Sequence, residues 1–235
     1  MVMKNINSLE RITFIFVFIL VVTGVILSHV APRFFKETYV VEDGLIQWLQ
    51  VAALVMTMCL CFWRVFSLRK SRPAIFLAAT FLLGLLLLFA VGEELSWGQR
   101  IFNIQSSQWF LEHNAQEEMN IHNLVIGGTK INRLVFSTGL GIVMIIYLAV
   151  ITPLYRRKGK LSQLVDSLAI PIPRIHHVIA YIVLVLIVQL LVASSKKGEL
   201  RELGMLFIFF LNVVFPYNKE IFDSGKKPTA EVQIG

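Results

Sequence analysis

The sequence predicts an all-α fold, a polytopic transmembrane helical bundle of about six spans. Three observations carry that reading. Of 235 residues, 56% are hydrophobic and only 16% charged, whereas soluble domains carry about 25% charged residues. Apolar runs of about twenty residues recur along the chain, each long enough to cross the hydrocarbon layer as a helix. The runs are continuously apolar rather than alternating, which excludes the strands of a membrane barrel.

Residues 12–30, "ITFIFVFILVVTGVILSHV", form the first span. No small-x-small cleavage site follows before "PRFFKETY", so the segment is expected to stay as a helix rather than leave as a signal peptide. Residues 45–66 form the second, with Gln47 and Gln50 in its first turns. Cys59 and Cys61 both lie inside it, too close to pair, and no C-x-x-C spacing points to zinc. Residues 74–92 form the third and most apolar span, 134–154 the fourth and 176–193 the fifth. The run "LGMLFIFFLNVVF" is short, but "GELRE" before it extends a sixth span to 200–216. Residues 1–218 are thus expected to make one bundle domain and 219–235 a disordered tail. Thr23, Gly24, Gly139 and Gly141 suit close helix packing, and Gln189 and Asn212 suit bonds between helices.

Orientation follows from the basic residues. The N-terminus, the 2–3 and 4–5 loops and the tail together hold fourteen Lys and Arg; the opposite side holds eight. The heavier side is expected to be cytoplasmic, with both termini there. The net charge of +7 then reflects topology and anionic headgroups rather than nucleic acid, and no nucleic-acid motif interrupts the loops. His176 and His177, after Pro173 at a cytoplasmic edge, are expected to meet headgroups. No span carries charge at its centre and no inverted repeat relates the halves, which weakens a transporter reading.

The informative segment is the outer loop between spans 3 and 4, residues 93–130: "EELSWGQRIFNIQSSQWFLEHNAQEEMNIHNLVIGGTK". Its polar residues are interleaved with Trp97, Ile101, Phe102, Trp109, Phe110 and Leu111, a mixture that fits short helices in the headgroup layer. Gly127 and Gly128 break the helix before span 4. If 92–101 continues span 3, Glu93, Trp97 and Arg100 share a stripe and Glu94 faces about 100° away. If 114–125 is helical, Glu118 and His122 stand one turn apart on one face, with Asn114 a turn earlier.

The two stretches "GEELSWGQRIF" and "NAQEEMNIHN" resemble a family of bacterial polytopic inner-membrane proteins whose pattern is Glu-Glu-x-Ser-Trp-Gly-Gln-Arg, then Asn-x-Gln-x-Glu-x-Asn-x-His-Asn. Here the pattern falls on Glu93, Glu94, Ser96, Trp97, Gly98, Gln99 and Arg100, then Asn114, Gln116, Glu118, Asn120, His122 and Asn123. The match covers about 30 residues of 235. It implies a bacterial inner membrane and brings no activity with it.

Three readings of these residues stay open. The first is a metal site of Glu94 (or Glu93), Glu118 and His122, whose donors suit zinc, iron or manganese. The spacing Glu-x-x-x-His departs from the Glu-x-x-His of di-iron bundles, and H-E-x-x-H is absent. The second is acid–base catalysis by Glu93, Glu94, Glu118 and His122. Substrate would then be held by Ser96, Trp97, Gln99, Arg100, Asn114, Gln116, Asn120 and Asn123, with Arg100 on an anionic group such as phosphate. Ser96 as nucleophile lacks a G-x-S-x-G context. The third is structural, the carboxylates holding the loop against the bundle. The working expectation is a membrane-embedded hydrolase or transferase acting at the outer leaflet on a lipid or lipid-linked glycan. The alternative is a non-catalytic protein, either a lipid or substrate flippase or a partner subunit of a membrane complex.

Overall fold

A computed structural model of the protein describes residues 6–131 and 139–225. The described chain is all-helical apart from one two-residue hairpin. Its principal helices are α1 (Ser8–Val30), α2 (Leu45–Leu68), α3 (Ala74–Glu94), α4 (Leu140–Arg156, with a π-helical stretch at Ile146–Ile151), α5 (Lys160–Ser167), α6 (Ile175–Leu191) and α7 (Lys197–Val214). By length and composition α1, α2 and α3 suffice to cross a membrane, and a fourth span results if α4 and α5, bent by 117°, count as one broken segment. α6 is apolar but has 17 residues, and the first turns of α7 are polar. Within the spans only 22–39% of residues are buried. Phe18, Ile19, Leu82 and Leu86 are exposed, an apolar outer surface that suits lipid rather than water.

The chain divides into two compact units. Met1–Leu60 with Pro171–Asp223 makes one, and Cys61–Ile170 with Ser224–Gly235 the other. In the first unit, hydrogen bonds fix the helix directions. At one end Glu10 of α1 meets His176 and His177 of α6; at the other, Ser28 Oγ accepts the N–H of Ala193, just past α6. α1 and α6 therefore run the same way. α7 returns, and Tyr217 beyond it donates its N–H to Ile172 O, with Asn218 Oδ1 accepting the N–H of Ile172. Gln50 of α2 donates to Glu199 O of α7 at 2.9 Å, a bond between helices. Gln47 Oε1 accepts the N–H of Asp43.

Small residues set the spacing. A Cβ on Gly24 would sit 2.3 Å from Leu200 Cδ1, and one on Gly204 would sit 2.5 Å from Leu184 Cδ2. Gly24 thus has the close contact its sequence setting suggests, whereas Gly141 faces open space. Buried Thr57 and Thr80 satisfy their hydroxyls on carbonyls four residues back.

In the second unit, α3 leads into the loop segment, followed by the strands β1 (Val125–Ile126) and β2 (Thr129–Lys130), paired antiparallel. Gly127 and Gly128 take φ of 56° and 77°, values glycine adopts without Cβ strain; they close a hairpin rather than break a helix. Residues 132–138, where the fourth span was expected to begin, lie outside the described residues, as does most of the expected tail. Lys219–Phe222 forms a 3-10 turn. The basic 4–5 loop contains a helix, α5, whose Asp166 accepts the Tyr155 hydroxyl of α4 at 2.9 Å.

Candidate functional site

α3 ends at Glu94, and Ser96, Trp97 and Gly98 follow with φ of 47°, 54° and 79°. Left-handed conformations at Ser96 and Trp97 cost of order 1–3 kcal/mol each and persist only where surrounding contacts impose them. The expected continuation of the helix through 92–101 therefore fails, although Glu93 and Trp97 still meet. The reversal instead folds Trp97 back over the helix end. Its ring lies where a Cβ on Gly92 would come within 2.8 Å of Cε3, and its Nε1 donates to Glu93 Oε1 at 2.9 Å.

The segment 114–124 is not helical either. Asn114 Oδ1 accepts the N–H groups of Gln116 (2.9 Å) and Glu118 (3.2 Å), and its Nδ2 donates to Asn120 O and Oδ1. The N–H of Ala115 donates to Asn123 O, and the N–H of Asn123 to Asn120 Oδ1. Asparagine side chains thus take over the backbone partners a helix would use, a competition in which Asn favours turns. Glu118 and His122 consequently do not share a helix face.

The resulting loop is a knot of polar contacts with Glu93 at its base. Glu93 is 3% exposed. Oε2 accepts the N–H groups of Ile121 (2.7 Å) and His122 (3.0 Å), and His122 Nδ1 lies 3.6 Å from the same oxygen. With Trp97 on Oε1, the carboxylate has donors on both oxygens. A second centre is Ser96, wholly buried. Its Oγ donates to Glu118 Oε2 at 2.6 Å, and Asn120 Nδ2 donates to both Ser96 Oγ and Glu118 Oε2. Gln99 ties in a third stretch: Oε1 accepts the N–H of Met119, and Nε2 donates to Ser106 Oγ, which itself donates to Glu117 O. Asn123 Nδ2 donates to Gln116 Oε1. Glu94 is the last, half-exposed residue of α3, and Arg100 lies in the short helix Gln99–Phe102.

The structure therefore separates residues that the sequence reading pooled. Glu93 faces His122, Glu118 faces Ser96 and Asn120, and the donor atoms of Glu94, Glu118 and His122 do not converge. The converging carboxylate–imidazole group among the described residues lies at the start of α1 and α6: Glu10, His176 and His177, with donor atoms all within 4.8 Å. Both Nε2 atoms approach Glu10 Oε1, at 2.9 and 3.0 Å. Oε2 accepts the N–H of Asn7 at 2.8 Å and faces Arg174 Nη1 at 3.3 Å. Headgroup contact was the expectation for the two histidines, but His177 is wholly buried. One signal was available: Asn7-Ser-Leu-Glu10 has capping-box form, which places a carboxylate over a helix start.

The chain matches no protein-family model, no curated protein and no solved structure.

Proposed function

We propose that this is a six-span protein of a bacterial inner membrane with both termini cytoplasmic, and that its outer loop is a structural platform rather than a reaction centre. The carrying observation is the state of Glu93. A carboxylate holding two backbone N–H groups and an indole N–H has three of its roughly four acceptor positions spent on the loop, and a metal or a substrate proton there would compete with those bonds. Around this polar knot stand exposed apolar groups, among them Trp97, Phe102, Ile104, Trp109 and Leu111. That is the composition of a surface lying in the headgroup layer, where it contacts lipid or a partner subunit of a membrane complex. The parallel run of α1 and α6, with α7 returning, fits their places as first, fifth and sixth spans; which side is cytoplasmic rests on the basic loops alone.

A second reading, hydrolysis or group transfer on a lipid or lipid-linked glycan, is favoured by one observation, the 2.6 Å contact of Ser96 Oγ with Glu118. That pair has the form of a hydroxyl nucleophile and its base, but Ser96 is wholly buried, so the reading requires the loop to open. Ser96→Ala and Glu118→Gln separate the two. In the platform reading both lower Tm in detergent. In the catalytic reading they abolish turnover of a lipid-phosphate substrate while Tm stays at the wild-type value.

A further inference from the structure

We propose that Glu10, His176 and His177 form a binding site for a divalent transition metal, with zinc the preferred ion. Two imidazole nitrogens and one carboxylate oxygen, with a position left for water, make a donor set that zinc accepts, and iron(II) and manganese(II) less tightly.

The geometry needs small changes. Donors bound at about 2.0–2.1 Å in a tetrahedron lie roughly 3.4 Å apart. Here the Glu10 Oε1 to Nε2 distances are 2.9 and 3.0 Å, and all three donors lie within 4.8 Å of one another. An ion entering between them opens the two contacts by a few tenths of an ångström and draws the imidazoles together. The carboxylate is held for this independently of the histidines. Its other oxygen takes the Asn7 N–H and faces Arg174, and such outer partners fix the orientation of a ligating group. Arg174 Nη1 reaches both carboxylate oxygens, at 3.3 Å from Oε2 and 3.5 Å from Oε1, so its charge opposes a cation and lowers the affinity expected of the site. Phe14 flanks both imidazoles, with ring centroids 6.2 and 6.1 Å away, giving an apolar wall.

Access comes from one side. Glu10 and His177 are wholly buried, whereas the side chains of His176 and Arg174 are 14% and 22% exposed. An ion and its water ligand therefore reach the cluster past His176. His177 Nδ1 is buried without a hydrogen-bond partner. The ring's only hydrogen bond among the described residues is thus through Nε2, and it lacks the acceptor that second shells of tight sites supply. Affinity should accordingly fall below that of closed structural zinc sites, and EDTA should strip the ion.

The experiment uses the full chain in detergent with any affinity tag removed. Protein is stripped with EDTA, and zinc and cobalt(II) are titrated into wild type, His176→Ala, Glu10→Gln, and the loop variant Glu118→Gln/His122→Ala. The expected result is one ion per chain in the wild type and in the loop variant, with the visible absorption of tetrahedral cobalt(II) and a rise in Tm. Binding falls at least tenfold in His176→Ala, the less buried of the two histidines, with size exclusion and circular dichroism checking that the fold is kept. Glu10→Gln should lose the cobalt spectrum even if its Tm drops. Three results would overturn the site: no stoichiometric binding by wild type, equal binding in His176→Ala, or binding lost only in the loop variant. The last of these would also overturn the platform reading of Glu93 and its neighbours; the first two leave that reading standing.

Discussion

Glu93, in the last turn of α3, accepts the backbone N–H of Ile121 at 2.7 Å across 28 positions of sequence. The neighbouring N–H of His122 reaches the same oxygen, so a single carboxylate holds the far side of the loop 93–124. A buried carboxylate at a membrane helix end is costly unless it is compensated; two amides and an indole supply the compensation.

The second centre makes a sharper test of the same architecture. Asn120 Nδ2 donates to Ser96 Oγ and Glu118 Oε2, so an isosteric acid there would set an acceptor against the Glu118 carboxylate. Asn120→Asp should therefore destabilise more than Asn120→Ala, by about 1–3 kcal/mol for the unsatisfied or opposed groups. Thermal unfolding of the two variants in one detergent checks the order. A reversed order would mean that the amide is not donating to Glu118.

Packing of α1 on α7 is tested at Gly24. Gly24→Ala places a methyl 2.3 Å from Leu200 Cδ1 and should cost about 1–3 kcal/mol, the usual range for overpacking. Because the clash is with one side chain, adding Leu200→Ala should recover part of the Gly24→Ala loss. A coupling of at least about 0.5 kcal/mol in the double-mutant cycle is expected for residues in contact.

Topology is checked with single cysteines in a background where Cys59 and Cys61 are replaced by alanine. In intact spheroplasts, an impermeant thiol reagent should label Ile104→Cys and Gly198→Cys. Ser162→Cys should label only after lysis. Labelling at 162 from outside would reverse the orientation. Failure at 198 with success at 104 would remove the crossing of α6 and α7.

The bundle was legible because lipid forces backbone bonding inside each apolar run, so length and composition alone locate α1, α2 and α3 to within a few residues. The loop 93–124 was not legible, because its conformation depends on which groups compete for backbone partners. Periodicity put Glu118 and His122 on one helix face. The side chains of Asn114 and Asn120 bond the backbone themselves and send those two residues to different partners. Glu93 and Glu94 look equivalent as letters, and only the reversal at Ser96, Trp97 and Gly98 makes the first the anchor. The group at Glu10, His176 and His177 was missed for another reason: its members lie over 160 positions apart, and nothing local links them beyond a cap-forming glutamate and a histidine pair at a helix start.

The most direct test of the central claim is hydrogen exchange, read by mass spectrometry, over residues 93–124 of detergent-solubilised wild type and Glu93→Ala. The account predicts slow exchange at the Ile121 and His122 amides in the wild type. It also predicts fast exchange across 114–124 in the variant, with the peptides of α1 and α2 unchanged. Equal protection of the loop in both proteins would show that Glu93 does not hold it and would return that carboxylate to the list of candidate reacting groups.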